Sequence, residues 1–167
     1  LWELMKILEK KHPGMTISSS ITQNDEVLRS WESGECDIAV LPFMHQCGNA
    51  VSREFMRENL FVCVPAGHEL AKHERLTFAE INGFNFLLRT ELGFWDALCR
   101  QKMPASRFLV QTDDFTFNEL VRSSSLPCFV TDYFRHPSSD YQGRVMIPLT
   151  DSEAKVTFYI LCRREYL

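Results

Sequence analysis

The chain has little glycine and little proline, 7 of each in 167 residues, which excludes collagen-like and linker-like architectures. No apolar run approaches the roughly 18–20 residues that a membrane-spanning helix needs. No charged segment followed by an apolar stretch opens the chain, so these residues contain no signal peptide. Basic residues are not in excess: 18 Lys and Arg stand against 22 Asp and Glu, for a net charge of −4. Nucleic-acid-binding domains usually carry a basic face, so these residues are not expected to grip DNA or RNA themselves. No C-x-x-C pair occurs, and the 5 His do not cluster with the Cys. Neither a structural zinc site nor any other cofactor is therefore expected.

What is present is ordinary globular composition, 45% hydrophobic and 24% charged. With 13 Phe, 3 Trp and 4 Tyr the chain is not disordered. Its length suits one domain or two small lobes with a real core. The cysteines are Cys36, Cys47, Cys63, Cys99, Cys128 and Cys162. An even count would allow disulfides in a secreted chain. Their wide spacing, and the apolar runs around Cys63, Cys128 and Cys162, instead favour buried reduced thiols in a cytoplasmic protein.

Leu1, Leu4, Met5 and Leu8 have the i, i+3, i+4, i+7 spacing of a helix already under way. The last apolar run, Val156 to Leu161, is strand-like and is followed at once by Arg163-Arg164. The chain is accordingly expected to be a segment of a longer protein.

The first helix should stop at His12-Pro13-Gly14. Met15 to Ile21 alternates as a strand would, and Thr22 or Asn24 offers the cap of a second helix. Gly34 suits that helix's exit, and Cys36 to Leu41 reads as a continuously apolar strand. This α-β-α-β order with short connections predicts parallel pairing. Extended runs follow at Val51–Met56 and Leu60–Val64. A capping box follows at Thr77–Glu80. Next come a strand at Phe84–Leu88, a helix from Gly93 to Lys102 and a strand at Arg107–Gln111. A second capping box is expected at Thr116–Glu119, then a strand at Pro127–Val130 and strands over 145–149 and 155–162. Two small α/β lobes joined by two connecting strands would satisfy this pattern.

Four segments carry a family resemblance. Leu4 to Met15, with Pro13, resembles an "L..F...P.V" start. Val27 to Val40, with Leu28, Gly34, Asp37 and Ala39, resembles "L…L..G..D.AI". Leu60 to Ala71 resembles "L..V.P..HPLA", with Glu69 in place of the usual Pro. Leu120 to Thr131 resembles "LV..G.GI..LP", with Ser for the glycines and Thr131 for the Pro. Together they resemble the effector-binding domain of LysR-type transcriptional regulators over nearly the whole chain. The resemblance implies an α/β, two-lobed type 2 periplasmic-binding-protein-like fold. Each lobe would be a mostly parallel sheet flanked by helices, and two crossover strands would join the lobes. Residues 1–64 and 145–167 would form lobe I and residues 65–144 lobe II. The first strand and last helix would lie outside these residues. DNA would be contacted only through a separate N-terminal domain, and the domain would work as a homodimer or tetramer. No membrane partner is implied.

In such a fold a small-molecule effector sits between the lobes, at strand C-termini and helix N-termini. Thr22, Gln23 and Asn24 are then either effector contacts or plain helix caps. Phe43 could stack on an effector or simply pack. Arg89 suits either a bidentate bond to a carboxylate or an ion pair, with Thr90 beside it. Thr131, Asp132 and Tyr133 fall on the family's cleft loop. Asp132 would repel an anion, which points to an effector bearing an amine or several hydroxyls. Thr112 and Asp113 fit a capping role, His68 a structural turn, and Phe94 and Trp95 a core or cleft wall. His45 and Cys47 are too few for a metal site. Two other functions fit the same fold: a solute-binding protein feeding a transporter, and an enzyme. No acid–base or nucleophile pair can be assembled for an enzyme, so none is expected.

Overall fold

The computed structural model describes residues 2–89, 94–132 and 141–166. The chain forms two compact units, Leu1–Cys36 and Asp37–Leu167. The first unit holds α1 (Trp2–Lys11) and α2 (Asn24–Ser33). Helix α2 ends as expected, with Gly34 in the left-handed region at φ 85°, where a side chain would strain the backbone.

Two expectations for this stretch are corrected. Met15 to Ile21 enters no ladder. Alternation makes a strand only where a neighbouring edge supplies hydrogen bonds. The cap of α2 is neither Thr22 nor Asn24 but Gln23, whose side chain makes no capping bond. Thr22 donates its hydroxyl to the Glu26 carboxylate instead, and Asn24 already lies inside the helix.

The second unit is organised by one strand, β2 (Ala50–Pro65), preceded by β1 (Ile38–Leu41). From Ala50 to Asn59, β2 pairs antiparallel with β7 (Lys155–Arg163), with an irregularity between Glu54 and Met56. Strand β7 in turn pairs antiparallel with β1. The parallel pairing expected for β1 is therefore corrected. Its burial alternates, Ala39 and Leu41 inward and Ile38 and Val40 outward. An apolar run can be half-exposed, and the run alone does not specify two covered faces.

From Leu60 onward β2 changes neighbours. It lies between β5 (Cys128–Thr131) and β6 (Arg144–Pro148), antiparallel to both. Strand β3 (Phe86–Arg89) pairs parallel with β5 and with β4 (Phe108–Gln111). The two runs expected at 51–56 and 60–64 are thus a single strand that serves both sheets.

The apolar run of β2 is buried on both faces because helices cover both. Alternate side chains point to opposite faces of a strand. Leu60, Val62 and Val64 join Phe78 and Ile81 of α3 (Phe78–Ile81) and Trp95, Cys99 and Met103 of α4 (Phe94–Lys102) and the residue after it. Phe61 and Cys63 face Phe117 and Val121 of α5 (Asp114–Ser123), with Leu87, Cys128 and Val130. The rings of Phe86 and Phe129 stack at 4.5 Å and 5° inside the first of these clusters.

Thr77 caps α3 as expected. Its hydroxyl accepts from the Glu80 N–H at 3.3 Å, and the Glu80 carboxylate accepts from the Thr77 N–H at 2.7 Å. The second capping box, expected at Thr116, is corrected: the cap of α5 is Asp113, which accepts from the Thr116 N–H at 2.6 Å. A carboxylate one turn earlier reaches the free N–H groups first.

Candidate functional site

The C-terminal end of β5 meets β2 where that strand passes from one sheet to the other. Leu60 pairs with Thr131, so Asn59 comes level with Asp132. The Asp132 carboxylate accepts the Asn59 backbone N–H at 2.9 Å and its Nδ2 at 2.6 Å. These bonds replace the ladder contacts that end with β5.

Thr131 faces the same side as Leu60, and by alternation so does Glu58. Thr131 is only 7% exposed, and its Oγ1 has no hydrogen-bond partner among the described residues. A buried hydroxyl left unpaired costs about 1–3 kcal/mol. Glu58 accepts from the indole N–H of Trp95 at 3.3 Å. Burial raises its carboxyl above the ordinary range, against the lowering effect of the Trp95 bond. The Asp132 charge adds to the rise. Two carboxylates and an unpartnered hydroxyl therefore gather at one strand crossing, with the buried Trp95 ring beside them.

Arg89 ends β3 on the same side of the sheet order as β5's terminus. Its guanidinium pairs with Asp114 at 3.0 Å, donates to Asn118 Oδ1 at 3.3 Å, and lies 4.6 Å over the Phe117 ring. It is anchored to the start of α5. Thr90 and Tyr133 lie outside the described residues. Phe43 follows β1 and is 42% exposed. Thr22, Gln23 and Asn24 stand at the start of α2, in the first unit.

The remaining residues singled out in the sequence have local roles. His68 accepts from the Leu70 N–H at 3.1 Å and caps a short turn. Asp113 caps α5, and the Thr116 hydroxyl and N–H hold its carboxyl below the ordinary range. Phe94 is 40% exposed and packs edge-on against the buried Trp95. Among the described residues no group of three or more His, Cys, Asp or Glu could hold a metal ion. No described helix is long and apolar enough to cross a membrane.

Glu58 and Asn59 were not legible as site residues. The available signal was two polar residues directly before the apolar run 60–64 in one strand.

The family model described as LysR substrate binding domain matches residues 1–167. No curated protein matches by sequence. Among solved structures, the chain is similar to the reduced form of the OxyR regulatory domain from Pseudomonas aeruginosa. The TM-score is 0.71 at 16% identity, over 96% of this chain and 80% of that one. The CcmR regulatory domain of Synechocystis PCC6803, in complex with 2-PG, gives 0.69 at 12% identity, over 97% and 80%. Full-length CbnR complexed with its target DNA gives 0.63 at 16% identity, over 98% of this chain and 58% of that one.

Proposed function

The chain belongs to the LysR substrate-binding domain family, the effector-binding part of LysR-type transcriptional regulators, and from that premise we propose that its effector is a small molecule bearing an amine or several hydroxyls. The observation that carries this reading is the Thr131 hydroxyl, buried and unpartnered, on the strand face that also presents Glu58. An effector hydroxyl or ammonium can satisfy it and also meet the carboxylates of Glu58 and Asp132. An anion would meet two acidic groups and gain nothing from them.

Asp132 would act twice. Its carboxylate holds Asn59 on β2, so an effector that draws on that carboxylate alters the bond between β5 and the strand shared by both sheets. An effector changes the regulator only through differential affinity for two arrangements. The Asp132–Asn59 bond is an element that can differ between them. DNA contact is assigned to a separate domain of the regulator, in keeping with the acidic balance of these residues. Cytoplasmic placement and action as a homodimer or tetramer follow from the same reading.

The test is a thermal-shift screen of the domain against amines, amino acids, polyols and organic acids. A ligand at about 100 times its dissociation constant should add roughly 2.7 kcal/mol of stability. Shifts confined to amines or polyols support the reading. Shifts confined to simple organic acids contradict it.

A further inference from the structure

Away from that crossing, on the opposite face of β2, two thiols stand directly opposed. Cys63 of β2 pairs in register with Cys128 of β5. Both are fully buried, and neither is in a disulfide. Directly opposed residues of antiparallel strands have Cα atoms about 4.5 or 5.5 Å apart. Both spacings fall within the roughly 4.4–6.8 Å that disulfides span.

The third member is Arg144 of β6. Its guanidinium donates to the carbonyls of Val121 at 2.6 Å, Ser124 at 3.2 Å and Cys63 at 3.2 Å, and also to that of Leu126. All four are neutral. No carboxylate among the described residues forms an ion pair with it. Besides the carbonyls, the half-buried guanidinium reaches the Cys63 thiol through its charge and an N–H. The hydrogen bond with Cys128 holds the Cys63 thiol below its ordinary range. Burial opposes this, and the charge and N–H of Arg144 support it. Cys128 is held well above its ordinary range by the same bond and by burial.

We propose that Cys63 and Cys128 are a redox-active dithiol that a small hydroperoxide converts to a cross-strand disulfide, with Cys63 as the attacking sulfur and Arg144 as its positioning residue. The Cys63 thiolate attacks the outer peroxide oxygen. The O–O bond breaks, the alcohol or water leaves with a proton, and Cys63 becomes a sulfenic acid. The Cys128 sulfur then attacks the Cys63 sulfur. The S–O bond breaks, and the hydroxide leaves as water with the Cys128 proton. Two thiols lose two electrons in total, and the peroxide gains them. Burial selects a small oxidant, admitted by local opening of the strand pair. The bridge would fasten β5 to β2 at Cys128, four positions before Asp132, which holds Asn59.

The test uses hydrogen peroxide on the protein, followed by alkylation in denaturant and peptide mapping. The expected product is a Cys63–Cys128 peptide that a dithiol reductant separates. Cys99, equally buried but in the other core cluster, should stay a free thiol, since burial pushes it up to about 12. Arg144→Gln should slow bridge formation roughly tenfold, as expected for losing the cation beside a thiolate. Should that variant not fold, Cys128→Ser supplies the second readout: Cys63 should then accumulate as a sulfenic acid trapped by dimedone. The proposal is overturned if Cys63 and Cys128 both remain alkylatable once peroxide has oxidised other cysteines. It is also overturned if Cys99 reacts as fast as Cys63.

Discussion

Asp132 and Asn59 are 73 positions apart in the chain, yet one carboxylate takes both the backbone N–H and the side-chain amide of its partner. The contact ties the terminus of β5 to the point where β2 leaves one sheet for the other. Asp132→Ala leaves both donors of a part-buried Asn59 without an acceptor, a loss of about 1–3 kcal/mol. Urea denaturation should show it as a lower midpoint with an unchanged slope. Asp132→Asn keeps one acceptor for the backbone N–H and should lose less.

The Glu58 carboxyl gives a pH-dependent prediction. Its folded-state value is raised, mainly by burial. The proton-bound form is therefore favoured by folding. That contribution is present below the ordinary carboxyl range and is lost as pH rises through the raised value. Glu58→Gln keeps an acceptor for Trp95 and removes the charge. The variant should melt higher than the wild type at neutral pH, and the difference should shrink at pH 4. A difference that grows on acidification would contradict the assignment.

The sequence made much of the scaffold readable and little of the site. The Thr77–Glu80 capping box, α4 and the strands at β3 to β7 follow from local signals: caps, breakers and apolar runs. The pairing partners do not. The alternation of Met15 to Ile21 is real, but the segment forms no ladder. The run at β1 is apolar, yet half of it faces outward. Register is set by tertiary contact, which one strand cannot announce. The same limit hid Glu58 and Asn59. They matter because Asp132 and Trp95 arrive from 73 and 37 residues away. Thr131 was readable because it stands where the resembled motif carries Pro. A residue with a hydroxyl there adds a polar group that the fold then leaves unpaired.

Two stability predictions test the fold itself. Phe129 stacks on Phe86 in the core that also holds Leu60 and Trp95. Phe129→Ala should cost about 3–5 kcal/mol through lost burial and the cavity left behind. Thr77→Ala removes one half of the capping box of α3 and should cost about 0.5–2 kcal/mol. Chemical denaturation of both variants separates the two magnitudes, and a larger loss for Thr77→Ala would contradict the assignment of the core.

The Thr131 hydroxyl is the centre of the proposed effector site, and the most direct measurement compares Thr131→Val with Thr131→Ser. Valine has nearly the same shape and no hydroxyl. The ligand-free Val variant should be as stable as the wild type or more so, because an unpaired buried hydroxyl is removed. Calorimetric titration with an amine or polyol that stabilises the wild type should show affinity weakened by about tenfold or more in the Val variant, for a lost hydrogen bond near 1.4 kcal/mol. The Ser variant should keep most of it. Equal binding by wild type and Thr131→Val would contradict the placement of the effector at the end of β5.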